Sequence, residues 1–582
     1  MGVSMGNFSP NFIANYLNSI RKYNPEGEFL VYGDKRIRWG QIIDRAYKLA
    51  NALIKIGVKK GDKVAFMFHN TPEFVEVNIA VQVAGAVPSP MNYRFVPREV
   101  EYQGNHSDAS VFLYDATWRD AVEPAALNLK NIKHFICFGE KGMDSALDYE
   151  TFLETGSAID PQIPTDTDDL AVMIYTGGTT GYPKGVMLTY GAHVDMFSNL
   201  FSMFGVRAAE ADINKKIIDK ISAGLPLPGI NYLSFLMERK LFKKIISHPK
   251  VVDFTRERIR NFLLKPERLR FAYKKSIKYM IPSMPFFHDA SYQILILAVF
   301  TGNLDFIIPD SIKFDPEKIL STIEKEKAVF MANVPTGWKK IVSHLEIEKY
   351  DLSSVKIAVN GAGAASVTLK KKIFSKFPNI IMVDMFGQTE MTPITTFRLD
   401  LSPDSLKERS VGKSIVKIKI VDDSGNEVPN GEIGEIMYKS STIMKGYYKD
   451  EEKTNEAMED GWFRGGDLGY LDEDGELRLV DRKKECINTG GEKVFPLEVE
   501  EVILEHPDVA DVCIIGVPDE EWGSTVRAVI MAASGKKITE KEIIEFCREN
   551  LAHFKCPTMV HFGKLPKTST GKIQKFQLRK RT

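Results

Sequence analysis

The 582-residue chain is short of several things, and each shortage closes off a class of explanation. Its five cysteines, at 137, 486, 513, 547 and 556, form no C-x-x-C pair and have no histidine spacing suited to zinc, so neither a disulfide framework nor a zinc fold is expected. They read as ordinary thiols of a reducing compartment. Net charge is also missing: 77 Lys and Arg balance 77 Asp and Glu, which argues against a nucleic-acid binder with a basic footprint. The longest apolar run, "ILILAVF" at 294–300, is far too short to span a bilayer. The opening "MGVSMGNFSPNF" lacks the basic-then-apolar order of a secretory leader. A cytoplasmic protein is expected. No repeat of fixed period and no low-complexity tract appears.

What is present is apolar enough to fold and too long for one core: 44% hydrophobic and 26% charged residues imply two or more domains. The stretch "WGQIIDRAYKLANALIKIGVKKGDKVAFMF" runs an amphipathic helix (Ile42, Ile43, Tyr47, Leu49, Leu53) into a Gly-Asp turn and a buried strand. Such units recur to about residue 400, the pattern of an α/β fold. From about 411 to 480 the texture changes to short strands with Asn-Gly and Asp-Gly punctuation, which predicts a small β-rich subdomain. Helix and strand alternation returns after the charged "DRKKE". The expected division is 1–483 as a large α/β domain containing the β-rich part, and 484–582 as a small mobile α+β domain.

The stretch "YTGGTTGYPKG" at 175–185 packs four glycines and three threonines into eleven positions. Glycines let successive N–H groups turn toward one point, and hydroxyls with one lysine add donors, which together suit phosphate oxygens. It is not a Walker loop, because Lys184 is followed by Gly185 and not by a hydroxyl residue.

This loop resembles the phosphate loop of the adenylate-forming superfamily, which contains acyl-CoA synthetases, peptide-synthetase adenylation domains and beetle luciferases. Four further elements resemble that family's motifs in the family's order: "MFGQTE" (385–390), "WFRGGDLGYLDEDG" (462–475), "DRKKECINTGGEKVFPLEVE" (481–500) and "LPKTSTGKIQK" (565–575). The resemblance implies activation of a carboxylic acid by ATP to an acyl-adenylate, then attack by a thiol. Carried over, Thr176, Gly177, Gly178, Thr179, Thr180, Gly181 and Lys184 should hold the β- and γ-phosphates. Phe386, Gly387, Gln388, Thr389 and Glu390 should position phosphate and Mg²⁺, with Glu390 and Thr180 as metal ligands. Gly361, Ala362 and Gly363 should line the adenine and acyl site, and Asp467 with Arg482 should take the ribose hydroxyls. Lys572 should neutralise charge developing between carboxylate and α-phosphate, alongside Lys184, Glu390 and Thr389 as catalytic residues. Lys484 stands at the hinge position, and Gly490 and Gly491 match the glycines along which a pantetheine arm approaches. Gly177, Phe386 and Gly465 depart from the family's usual Ser, Tyr and Thr, but no charged group is lost.

The same resemblance places the acid near "IPSMPFFHDASYQILILAVF" (281–300), with His288 and Asp289 at the pocket. Asp289 leaves two readings open: turned away from the pocket in an enzyme for a hydrophobic, fatty or related acid with free CoA, or pairing a substrate ammonium; the alternative function is an amino-acid-type or aryl-acid adenylating enzyme serving a separate carrier protein. Residues 208–280 carry 17 Lys and Arg against 7 Asp and Glu, a local +10 that the remainder offsets. Interleaved Leu, Ile and Phe suit helices that lie on an anionic membrane or pack on the protein. ATP, Mg²⁺ and CoA are the expected cofactors and the acid the expected partner. Peripheral membrane contact through this insert and homodimer formation are further expectations.

Overall fold

The computed structural model describes residues 9–140, 142–176, 183–211, 239–268, 276–282, 284–363, 365–377, 379–567 and 573–579. The chain forms two compact units: 1–362, 369–405 and 440–456 in the first, and 363–368, 406–439 and 457–582 in the second. In this division the β-rich segments fall with the C-terminal residues, and Lys484 lies between the last of the β-rich strands, which ends at Arg482, and the hairpin that starts at Ile487.

The expected α/β architecture is present. In the first unit, six strands run parallel in one sheet, in the order Ile381–Gly387, Ile357–Asn360, Phe330–Asn333, Ile277–Met280, Leu304–Ile308 and Glu28–Tyr32. Ile394–Asp400 and Lys35–Arg38 flank them antiparallel. Such strands read as continuous apolar runs because both faces are covered, and Leu304–Ile308 is buried at every position. A second sheet joins five parallel strands, Val87–Pro90, Lys63–Met67, Ala109–Asp115, His134–Phe138 and Leu147–Asp148. The helix expected near residue 40 spans Trp39–Lys55, and its Trp39 ring stacks on Phe29 at 3.7 Å between centroids. A third, antiparallel sheet pairs Leu170–Thr176 with Lys184–Thr189 and then with Gly446–Tyr447.

The second unit opens with the hairpins that the Asn-Gly and Asp-Gly punctuation predicts: Lys417–Val421, Gly434–Lys439, Trp462–Leu471 and Leu477–Arg482 pair antiparallel in that order. Beyond them Val509–Asp519 and Gly523–Ala532 pair antiparallel, with Met559–Phe562 added in parallel. Helices Pro496–Leu504 and Glu540–Asn550 bury Val499, Ile503, Ile543 and Cys547 against Ile514, Val526 and Ile530 of this sheet. All five cysteines are free thiols. Among the described residues, no helix is long and apolar enough to cross a membrane.

Candidate active site

In the first unit the antiparallel ladder of Leu170–Thr176 and Lys184–Thr189 ends at the pair Thr176↔Lys184, so the Gly/Thr loop springs from these two residues. Gly177, Gly178, Thr179, Thr180 and Gly181 lie outside the described residues. Lys184 places its Nζ 4.4 Å from the centroid of the Tyr447 ring. The Tyr447 hydroxyl donates to Glu390 Oε1 at 2.8 Å. A cation, an aromatic face and a carboxylate are thereby strung together at the mouth of the loop.

Backbone pairing builds this array. Tyr447 sits opposite Val186 in the short strand Gly446–Tyr447, and the Tyr448 N–H donates to the Gly185 carbonyl at 2.8 Å. The Met444 N–H donates to the Glu390 carbonyl at 2.8 Å, which ties the same segment to the 3₁₀ turn Thr389–Met391. That turn follows Ile381–Gly387, whose register with the next strand shifts between Phe386 and Gly387. A Cβ on residue 387 would lie 1.7 Å from the Pro393 carbonyl oxygen, so only glycine fits there. Gln388 and Thr389 are buried beside it. Thr176 and Lys184 thus lie on the three-stranded sheet and Phe386 and Gly387 on the large parallel one, and the Met444–Glu390 hydrogen bond joins the two at the turn. Motif reading did not single out Tyr447, which the structure places between Lys184 and Glu390. Its only trace in the sequence is a glycine before two tyrosines, which by itself reads as a turn.

Gly361 and Ala362 follow the parallel strand Ile357–Asn360, and Ala362 adopts a left-handed conformation at φ 61°. Register aligns Asn333, Asn360 and Asp384 across three neighbouring strand ends. Asp384 accepts from Asn360 Nδ2 at 2.9 Å and pairs with the Lys370 ammonium. The carboxyl ends of parallel strands are where ligands of open α/β sheets bind.

His288 precedes the helix Asp289–Thr301, and Asp289 opens its first turn. The Asp289 side chain is fully buried and turned along its own helix: Oδ1 accepts from Gln293 Nε2 at 2.8 Å, and Oδ2 has no hydrogen-bond partner among the described residues. Burial, with the negative charge of Glu390 added, pushes its carboxyl up to about 8. Gln293 Oε1 faces His193 Nδ1 at 2.9 Å, and burial lowers the His193 imidazole to about 4. Burial thus favours the neutral form of both groups.

In the second unit Asp467 and Arg482 are register partners, and Arg482 Nε reaches Asp467 Oδ1 at 2.6 Å. Arg482 also donates to the Gly465 carbonyl at 3.1 Å, while Asp467 is almost fully buried. Gly363 lies in this unit too. Lys484 sits exposed in the single 3₁₀ turn Lys483–Glu485. Gly490 and Gly491 form the two-residue turn between Ile487–Thr489 and Glu492–Val494, both at positive φ, 59° and 89°. A Cβ on Gly490 would meet the Trp522 ring at 2.6 Å. Lys572 lies outside the described residues. The flanks of its segment are held by the Lys567↔Ile573 bridge and by Lys575, whose ammonium meets Glu500 at 3.1 Å.

A family model described as "AMP-binding enzyme" matches residues 19–221 and 247–448, and one described as "AMP-binding enzyme C-terminal domain" matches 498–572. The unmatched 222–246 falls within the basic stretch. The 4-hydroxybutyrate–CoA ligase 2 of Metallosphaera sedula is 29% identical, over 97% of this chain and 93% of its own length. A feruloyl-CoA synthase of an Amycolatopsis species is also 29% identical, over 96% and 97%. Among solved structures, the anthranilate CoA ligase AuaEII in complex with anthranoyl-AMP superposes with a TM-score of 0.80 at 22% identity, over 100% of this chain and 99% of that one.

Asp289 supplies a test by pH. Its folded pKa lies above the unfolded value of 3.8, so the stability tied to its neutral form is full below about pH 4 and is lost as pH rises through about 8. Asp289→Asn keeps the shape without the charge. Its thermal midpoint should gain on the wild type steadily from pH 5 to pH 9. A difference constant over that range would show that Asp289 does not titrate as described.

Proposed function

This chain belongs to the AMP-binding enzyme family, and on that premise we propose that it joins a hydrophobic, fatty or related carboxylic acid to CoA at the expense of ATP. The observation that carries the reading is the Lys184–Tyr447–Glu390 array at the mouth of the Gly/Thr loop. A carboxylate is a poor electrophile. In the first half-reaction a substrate carboxylate oxygen attacks the α-phosphorus of ATP, the bond from that phosphorus to the bridging oxygen breaks, and pyrophosphate departs. In the second, the CoA sulfur attacks the acyl carbonyl, AMP leaves, and the thiol proton passes to solvent.

Lys184 faces the phosphates from the base of the loop, with Thr176 and the loop's own residues Gly177 to Gly181. The Tyr447 ring lies under its ammonium. Glu390 has an oxygen-donor carboxylate of the kind Mg²⁺ takes together with phosphate oxygens, and one or two carboxylates suffice for that ion. When bound, Mg²⁺ would neutralise phosphate charge. Asp467, oriented by Arg482, accepts from the ribose hydroxyls. Gly361, Ala362 and Gly363 line the adenine side, and His288 closes the acyl side. Lys572 reaches the reacting oxygens in the first half-reaction. Lys484 is the point at which the chain swings between the two half-reactions, with Gly490 and Gly491 leaving room for the pantetheine arm.

The burial of Asp289 favours a hydrophobic acid over an amino acid. A carboxylate that pairs a substrate ammonium has to be ionised and open to the ligand, and this one is covered, with its neutral form favoured by burial. The five free cysteines suit a reducing cytoplasm.

ATP–pyrophosphate exchange over a panel of fatty, aromatic, sterol-derived and amino acids tests the reading, with CoA-dependent AMP release read in parallel. Exchange with hydrophobic acids and thioester formation with free CoA are expected. Exchange confined to amino acids, or no thioester with CoA, would assign the chain to carrier-linked adenylation. Tyr447→Phe removes one hydrogen bond to a charged group, worth about 1.5–3 kcal/mol, and should lower kcat/KM for exchange by about 10- to 100-fold. Unchanged exchange would remove Tyr447 from the site. Lys572→Ala should suppress exchange by orders of magnitude yet largely spare CoA attack on supplied acyl-adenylate. Lys484→Pro should do the reverse, because a fixed φ stops the hinge from turning. Equal losses in both half-reactions would refute each role.

A further inference from the structure

The basic stretch folds in its described part into two helices, Lys240–Ile246 and Pro249–Leu263, and these pack against the long helix Tyr190–Glu210. Their inner side is anchored to the first unit. Arg260 pairs with Asp195 at 2.6 Å, Ser19 Oγ donates to the Pro266 carbonyl at 3.1 Å, and Val252 and Leu263 are buried.

The outer side has an unusual composition. Leu241 is 71% exposed, Ile245 49%, Phe254 58% and Phe262 41%. Leu241 and Ile245 lie one turn apart, and Phe254 and Phe262 share a face with Arg258 between them at i, i+4, i+8, so each helix presents exposed apolar side chains outward. The Arg258 guanidinium rests 5.1 Å from the Phe254 ring centroid. Lys240, Lys244 and Lys250 stand exposed on the same two helices. Residues 239–268 hold ten Lys and Arg and three Asp and Glu, a net +7.

We propose that this two-helix face docks on an anionic lipid surface. Apolar side chains enter the headgroup and acyl boundary while lysine and arginine stems keep their charges at the phosphate level. Charge complementarity selects the occupant. A second copy would set one cationic face against another, and like charges there oppose association. An anionic membrane attracts the same charges, and the attraction weakens with salt.

Flotation of the full chain with vesicles of 70% phosphatidylcholine and 30% phosphatidylserine, against pure phosphatidylcholine, tests this. Binding should be strong at low salt on the anionic vesicles, at least about tenfold weaker on the neutral ones, and reduced by raised salt. Phe254→Ser with Phe262→Ser should weaken binding by about tenfold, and so should Lys240→Glu with Lys244→Glu. Unchanged thermal midpoints would make these losses a property of the surface, and the charge variant still decides the matter if the aromatic one fails to fold. No binding at low salt, equal binding to both vesicles, or binding unmoved by either variant would overturn the proposal. A dimer in solution that the aromatic variant dissolves would give the face to a second copy and overturn it as well. None of these readouts depends on which acid the site accepts.

Discussion

The register of two short strands carries the site. Thr176↔Lys184 is the last pair of the ladder that closes the Gly/Thr loop, and a slip of one residue would turn Lys184 to the opposite face, away from Tyr447. The hairpin is clamped from several sides. The Tyr102 hydroxyl donates to the Pro183 carbonyl at 3.0 Å, Tyr175 meets His106 Nδ1 at 2.8 Å, and Gly446–Tyr447 completes the outer edge. The glycine-rich sequence at 177–181 is therefore flanked by a clamped hairpin base, which fixes the position of the Lys184 backbone.

Asp467 in the second unit and Asp384 in the first are both buried carboxylates. Each is compensated, and differently. Asp467 takes a guanidinium at 2.6 Å from a directly opposed register position, so the pair is set by the strand ladder itself. Asp384 is held by Asn360 from the neighbouring strand and by Lys370 from the helix Val367–Lys376. A buried charge without such partners would cost several kcal/mol, about the margin by which a domain is folded.

How much of this was legible in the sequence differs by the kind of signal. The α/β class followed from apolar runs broken by amphipathic helices, and Trp39–Lys55 folds as its spacing predicts. The β-rich hairpins followed from turn chemistry. Glycine at 387 carried a family motif, but its physical reason, the Pro393 carbonyl pressed where a Cβ would sit, depends on a bulge that no local pattern encodes. Tyr447 was not legible, because its role comes from pairing with a strand some 260 positions earlier in the chain. The side chain of Asp289 was legible as an anomaly only. Its environment is made by a residue one turn along and by the packing around it, and a sequence gives the first without the second.

The cluster around Asp289 also shows how the helices flanking the site are kept in step. Gln293 gives its Nε2–H to Asp289, so its Oε1 faces His193 and must receive a proton donor, which fixes His193 as the Nδ1–H tautomer. Gln293 can serve both groups in either protonation state, while burial favours the neutral form of each, raising the pKa of one and lowering that of the other. It links Asp289–Thr301, which follows His288, to Tyr190–Glu210. The second of these helices begins at the end of the Lys184–Thr189 strand, with Thr189 as its N-cap. The hairpin strand Lys184–Thr189 is thereby joined, through His193 and one glutamine, to the helix that follows His288. A charged or apolar residue at 293 would break that link, because neither can both donate to Asp289 and accept from His193.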